Sequence, residues 1–275
     1  MRASGVDRTL SYALLVLFSF LAIYPILRMI GVALEPGSTL PSGSTIFPAH
    51  PSFHNIARVW TEGQFGKAFV TSTTISVAVV LISTVCAVLA GYAFGTMQFA
   101  GQRVLFYLLI LGLLIPTEAL VIPLYYDLQW IHLSGTEWSV ILPQASTSIA
   151  FGTFWMRTFF ASTPAELREA ALVDGASSFR ILWRILVPIA RPAIQVMMVL
   201  LFLFSFNDFL LPLVMLTNPE VQTVPLSVAT FLGSRTNDLT GLAAAGVLAA
   251  IPVMIIYVVM QRQLVEGLLA GAVKG

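Results

Sequence analysis

The stretch from Ala68 to Gly95 reads AFVTSTTISVAVVLISTVCAVLAGYAFG and contains no charged residue. A helix rises about 1.5 Å per residue, so about 20 apolar residues cross a hydrocarbon core of about 30 Å. The stretch is long enough for that crossing. It also lacks the period-two alternation of membrane β-strands. The sequence therefore predicts a membrane-spanning helix here.

Similar apolar stretches occur on both sides of this one. The six predicted spans lie at about residues 10–34, 68–95, 104–126, 140–160, 192–216 and 242–260. The first is too long for the apolar segment of a cleaved signal peptide, so we interpret it as a retained helix. The chain has a mean hydropathy of +0.89 and only 10% charged residues, against about 25% in soluble domains. We predict an all-α, polytopic membrane protein with a single domain over residues 1–275.

Charge and cysteine content exclude two other classes of protein. The net charge of +1 is too small for a protein that follows nucleic-acid phosphates. The single cysteine, Cys86, excludes an intrachain disulfide framework.

The lysines and arginines between the spans predict the orientation of the chain. With six spans, the side that holds both termini carries Arg2, Arg8, Arg103, Arg157, Arg168, Arg180, Arg184, Arg191, Arg262 and Lys274. The opposite side carries Arg58, Lys67 and Arg235. Cytoplasmic loops are enriched in these residues. We therefore expect both termini, and the loop at 161–191, to be cytoplasmic.

The loop at 161–191 contains residues that are typical of the starts and ends of two short helices. Thr163 is a candidate N-cap, Pro164 suits the first helical position, and Glu166 would complete a capping box. Gly175 suits the end of this helix. A second helical segment is predicted over Ser177–Leu186. The loop is therefore expected to be a docking element; the alternative is a solvated amphipathic connector.

The same loop carries a motif of a known family. Glu169-Ala170-Ala171, three residues, Gly175, nine residues and Ile185-Leu186-Val187-Pro188 resemble the EAA loop of ABC-importer permeases. The family pattern ends Ile-x-Leu-Pro, and here valine replaces that leucine. The segment Asn207-Asp208-Phe209-Leu210 and the tail GLLAGAVKG at 267–275 resemble the maltose-type sugar permease subunits.

This resemblance implies an ABC importer type I transmembrane domain that imports a sugar. A di- or oligosaccharide is the expected substrate, and glycerol phosphate or another polyol is the alternative. In such importers the EAA helix is the coupling helix, held in a groove of a cytoplasmic ATPase. The coupling residues by this resemblance are Glu169, Ala170, Ala171, Asp174, Gly175, Phe179 and Pro188. Gly271, Lys274 and Gly275 would add a tail contact with the ATPase.

The resemblance also implies a set of partners. These are a second permease subunit in a heterodimer, two ATPase subunits and an extracytoplasmic sugar-binding protein, in a bacterial or archaeal plasma membrane. ATP and magnesium would bind to the ATPase, and this chain would bind no cofactor.

The chain itself lacks the residues for ATP hydrolysis. A Walker A loop needs a lysine directly after its second glycine, and neither Lys67 nor Lys274 lies in such a loop. The sequence also lacks the His and Cys spacings of a metal site. We therefore expect a transporter subunit and not an enzyme.

The alternative function is a stand-alone ion-coupled transporter or channel. Such proteins place carboxylates or histidines inside the helix bundle. His50, His54 and His132 all lie in predicted outside loops. Glu118 lies in the outer half of its span, where a water-filled cavity and the membrane interface are its alternative surroundings. Asp208 is the strongest candidate for an intramembrane functional group, and an interhelical hydrogen bond is its alternative role.

The substrate path is predicted only from residue types. Sugars bind amide, hydroxyl and carboxylate groups together with aromatic rings. The candidates are Tyr125, Tyr126, Gln144, Ser148, Asn207 and Asp208, with Ser146 and Thr147 beside them. Each could equally serve helix packing or lie at the membrane interface.

Overall fold

The computed structural model describes residues 5–37, 46–218, 220–233 and 238–272, and within these ranges every regular element is a helix. The helices are α1 (Gly5–Ala33), α2 (His54–Glu62), α3 (Phe65–Thr96), α4 (Gln102–Leu114), α5 (Thr117–Trp130), α6 (Trp138–Ala161), α7 (Ala165–Val173), α8 (Ser178–Ile181), α9 (Val187–Asn207), α10 (Leu210–Met215), α11 (Val224–Gly233) and α12 (Leu239–Ala272). A π-helical turn at Leu182–Leu186 joins α8 to α9.

Four helices in the described ranges are long and apolar enough to cross a membrane, namely Leu10–Ala33, Phe65–Thr96, Ser178–Asn207 and Leu239–Arg262. The pair α4 and α5 would form one further span. Helix α6 matches the predicted span at 140–160 and has 24 residues, but polar residues such as Gln144 and Thr153 interrupt its apolar sequence. The count of six spans therefore stays a prediction.

Two of the predicted spans are broken in the structure. The span at 104–126 is bent by 97° between α4 and α5. Ile115 is extended there, with ψ 119°, because the ring of Pro116 disfavours helical backbone in the preceding residue. The span at 192–216 is broken at Asp208, whose ψ is 130°.

The chain divides into two compact units, Met1–Gly66 with Ser227–Pro252, and Lys67–Leu226 with Val253–Gly275. The single domain expected from the sequence stays a prediction.

In the second unit, small residues let α3 and α6 pack closely. A Cβ atom at Gly152 would lie 2.7 Å from the Cβ of Ala87, and one at Gly91 would lie 2.5 Å from the Cβ of Met156. Only glycine fits such close approaches, and small residues at helix contacts are typical of membrane bundles. Helix α6 also contacts α4, α5, α9 and α10. It is therefore largely surrounded by protein, which explains why it can carry polar residues.

In the first unit, an ion pair ties α2 to the start of α12. Nη1 of Arg58 lies 2.8 Å from Oδ2 of Asp238, and Nη2 lies 3.0 Å from Oδ1. The carboxylate also accepts a hydrogen bond from the backbone N–H of Gly241, so Asp238 is the N-cap of α12.

Candidate functional site

The loop between α6 and α9 begins with a cap that differs from the prediction. Helix α7 starts at Ala165, and the residue before it is Pro164, with no side-chain cap. The hydroxyl of Thr163 donates a hydrogen bond to the carbonyl of Phe159 at 3.2 Å instead. The predicted Thr163 N-cap is therefore wrong, because this hydroxyl bonds back to the end of α6.

The end of α7 agrees with the prediction for Gly175. This residue has φ +75°, a conformation that costs little only for glycine. The N–H of Gly175 donates to the carbonyl of Leu172, and the N–H of Ala176 donates to that of Ala171. This pair of bonds is a Schellman motif, which turns the chain sharply after α7.

The return segment then leads without a break into the next long helix. Ser177 is the N-cap of α8, and its Oγ accepts from the N–H of Arg180 at 3.4 Å. In the π-helical turn the N–H of Val187 donates to the carbonyl of Leu182. Pro188 follows inside α9, where its ring is tolerated near the start of the helix. A movement of the loop can therefore be transmitted directly to α9.

One face of the loop packs against the helices of the second unit, of which the loop is a part. Ala171, Ile181, Leu182 and Leu186 are buried in one cluster together with Phe160. Burial of the Ile, Leu and Phe side chains typically contributes about 1.5–3 kcal/mol each. The loop is therefore fixed on its helices and is not a loose connector.

The opposite face is exposed and combines apolar with acidic side chains. Val173 is 88% and Phe179 67% exposed, and Leu172 is exposed beside them. Glu169 and Asp174 are exposed as well and form no ion pair within the described part of the chain. Exposed large apolar side chains close to charged ones are typical of a protein-binding surface. We call Glu169, Leu172, Val173, Asp174 and Phe179 the loop face.

The remaining coupling residues lie around this face. Ala170 and Gly175 are exposed, Pro188 is exposed on α9, and Ala171 is buried beneath the face. Of the tail residues, Gly271 belongs to α12, whereas Lys274 and Gly275 lie outside the described residues. The coupling role of each of these residues stays a prediction.

A second polar site lies where α9 gives way to α10. Nε2 of Gln144 donates to Oδ2 of Asp208 at 2.8 Å, and the hydroxyl of Ser205 donates to Oε1 of Gln144 at 2.6 Å. Oδ1 of Asp208 accepts from the N–H of Leu210, the first residue of α10, at 3.1 Å, so this carboxylate also satisfies a free N–H at the start of that helix. The interhelical hydrogen bond, which was the alternative role for Asp208, is present.

The other substrate-path candidates do not join this cluster. Ser148 is buried on α6, Tyr125 is half-buried, and Tyr126 is exposed. Asn207 is exposed and donates to the carbonyl of Leu203 in its own helix. Sequence reasoning missed Ser205, although its position three residues before Asp208 places both residues on one side of a helix.

The fold and the loop together define a class of protein. Several apolar helices, joined by an anchored loop that exposes a protein-binding face, are typical of a polytopic membrane protein that works with a partner on one side. The chain belongs to the family described as "Binding-protein-dependent transport system inner membrane component", which matches residues 83–269. It is therefore an ABC-transporter permease subunit and not an enzyme, and ATP hydrolysis is carried out by separate subunits of such transporters.

Two curated relatives are similar over almost the whole chain. The diacetylchitobiose uptake system permease protein of Streptomyces coelicolor is 30% identical over 267 residues, covering 95% of this chain and 88% of that protein. The arabinooligosaccharides transport system permease protein of Halalkalibacterium halodurans is 33% identical over 261 residues, covering 94% and 93%.

A solved structure has the same fold. It is a crystal structure of a bacterial ABC transporter involved in the import of the acidic polysaccharide alginate. One of its chains superposes with a TM-score of 0.80 at 25% identity, covering 95% of this chain and 99% of that chain. The expected all-helical transmembrane fold and the resemblance to ABC-importer permeases are confirmed.

Proposed function

We propose that this chain is a permease subunit of an ATP-driven importer for a di- or oligosaccharide. It pairs with a second permease subunit and forms the translocation path with it. Two cytoplasmic ATPases supply energy, and an extracytoplasmic sugar-binding protein delivers the substrate. Membership of the permease family and the oligosaccharide transport named for its relatives support this proposal.

The proposal places the chain in a bacterial or archaeal plasma membrane with both termini in the cytoplasm. The excess of lysine and arginine on the side of the termini supports this orientation. It puts the loop face on the cytoplasmic side. ATP and magnesium bind to the ATPase subunits, and this chain needs no cofactor of its own.

The exposed loop face is the observation that carries the proposal. Val173 and Phe179 project apolar surface from a turn that Gly175 keeps slim, and Glu169 can pair with a basic group of the ATPase. The buried residues Ile181 and Leu182 fix this face to the membrane helices. A pull on α7, when ATP binding closes the ATPases, is thereby transmitted to α9 and opens the path to the binding protein.

The arrangement of Asp208 makes the alternative function less favourable. An ion-coupled transporter needs an intramembrane carboxylate that can exchange a proton or ion. Both oxygens of Asp208 already accept hydrogen bonds, from Gln144 and from the start of α10. The carboxylate therefore has a structural role that accounts for its place in the span.

The test is sugar-stimulated ATPase activity of the purified complex. With Glu169→Lys or Gly175→Asp, we expect membrane insertion to persist and the stimulation to be lost, because each change puts a misplaced charge on the docking surface. Gly101→Asp is the matched control, since Gly101 has φ +82° and open space around it like Gly175 but lies outside the loop face. Full stimulation with Gly175→Asp would contradict the proposal.

A further inference from the structure

A polar cavity of about 410 Å³ lies where α3 ends, α4 begins and α6 passes into α7. Its walls include Thr96, Gln98, Gln102, Arg157, Thr163 and Arg168. None of the residues assigned to ATPase docking lines it. The cavity is therefore distinct from the residues that are expected to contact the ATPase.

The cavity has positive charge without a matching acid. Arg157 and Arg168 are part of its wall, and no Asp or Glu is among its described lining residues. Arg157 lies over the ring of Phe106, 4.1 Å from its centroid. Arg168 donates one hydrogen bond to the carbonyl of Thr96. Neither arginine forms an ion pair within the described part of the chain, and a guanidinium has five N–H donors.

A third arginine and an exposed apolar helix surface lie next to this cavity. A neighbouring cavity shares Gln98 and Gln102 and is also lined by Arg103. Immediately along α4, Val104, Leu105 and Leu108 are exposed, and none of the residues of this helix is buried. In a membrane protein such a helix side contacts acyl chains. Arg103 lies in the first turn of α4, and Arg157 and Arg168 line the cavity beside it; in the predicted orientation this end of α4 is at the level of the cytoplasmic headgroups.

From this arrangement we propose that the cavity binds a phosphate anion, supplied by the headgroup of an anionic phospholipid. Arg157 and Arg168 bind the phosphate oxygens, since guanidinium groups match phosphate geometry. Arg103 adds attraction at the rim, and the acyl chains lie along α4. The bound lipid would stabilise the junction between α6 and α7, next to the coupling loop.

The test measures lipid retained by the purified full-length chain in detergent, by native mass spectrometry. Phosphatidylglycerol is compared with zwitterionic phosphatidylcholine at equal concentration. We expect selective retention of phosphatidylglycerol, and about a thirtyfold weaker affinity in the double variant Arg157→Gln, Arg168→Gln, because each such arginine contributes a factor of about five. Arg180→Gln is the matched control, since Arg180 is exposed on the same loop outside the cavity.

A second variant keeps the test informative if the double glutamine variant fails to fold. Arg157→Lys with Arg168→Lys preserves the charges and should retain most of the selectivity. Inorganic phosphate at millimolar concentration should not displace the lipid, because it lacks the acyl chains that bind along α4; displacement would identify free phosphate as the ligand and overturn the lipid assignment.

Either of two further results would overturn the proposal: equal retention of the two lipids, or unchanged retention of phosphatidylglycerol in the double glutamine variant. If that unchanged retention is accompanied by loss of the ATPase when the complete complex is purified, the arginines bind a protein partner instead.

Discussion

The side chain of Asp238 joins the start of α12 to α2 through an ion pair with Arg58 that sequence patterns do not predict. Its carboxylate faces both Nη atoms of Arg58 and accepts from Gly241 and Thr240. The Arg58 guanidinium holds the pKa of Asp238 below its ordinary value, although burial acts in the opposite direction. The two residues are far apart in the chain, so no local spacing predicts the pair.

A pH dependence of stability follows from this pair. The lowered pKa of folded Asp238 means that its stabilisation is complete above the unfolded pKa of about 3.9 and is lost as the pH falls below it. We expect Asp238→Asn to lower stability by about 1–3 kcal/mol at neutral pH. The difference in thermal midpoint from the wild type should be constant above about pH 5 and should close below about pH 4.

Glu220→Gln is the control for this titration. Glu220 also pairs with a cation, Lys67, but both side chains are exposed, and exposed ion pairs contribute little. Its thermal midpoint should match the wild type throughout. A gap between wild type and Asp238→Asn that persists unchanged at pH 3 would contradict this role of the ion pair.

The local chemistry of the coupling loop could be predicted from the sequence only in part. Gly175 was predicted to end α7 because glycine tolerates the left-handed backbone, and it does so with φ +75°. Thr163 was assigned to the wrong helix, since a threonine hydroxyl can cap the following helix or bond back to the preceding one. The choice depends on where α6 ends, which local sequence does not determine.

At the level of helices, the break at Asp208 is the feature that apolar patterning could not predict. The span at 192–216 is apolar on both sides of the break, so its composition indicates one continuous helix. The carboxylate instead accepts hydrogen bonds from the first N–H of α10 and from Gln144 on α6. The resulting contact between α6 and the break links residues more than sixty positions apart.

Asp208→Ala should therefore destabilise the protein through lost hydrogen bonds. Removing the carboxylate leaves the amide of buried Gln144 and the N-terminus of α10 without their acceptor, a loss of about 1–3 kcal/mol. Asp208→Asn keeps an oxygen for the N–H of Leu210 and should cost less. Thermal unfolding in detergent checks this order.

The opposite pattern would assign Asp208 to the substrate path. That pattern is wild-type stability for Asp208→Ala together with lost sugar transport. Gln144→Leu provides the complementary measurement, because it removes the partner and leaves the carboxylate in place.

At the level of the whole molecule, composition and periodicity predicted the all-helical membrane fold. The hydrocarbon core imposes the length and apolarity of spans, and both can be counted in the sequence. Helix α6 and the bent pair α4 and α5 are the exceptions. A helix enclosed by protein carries polar residues, and a bend at Pro116 does not alter the apolar count. The enclosure of α6 depends on tertiary packing. Pro116 indicates an irregular span from the sequence alone, but the size of the bend, 97°, is not predicted by any single stretch.

The central claim is that this chain imports an oligosaccharide only as part of an ATP-driven complex. The most direct measurement is uptake of labelled oligosaccharide into proteoliposomes that contain the complete complex. We predict uptake only with ATP at the ATPases and the binding protein on the opposite side, and its loss with Gly175→Asp but not with Gly101→Asp. Uptake by this chain alone, driven by a proton or sodium gradient without ATP, would contradict the account.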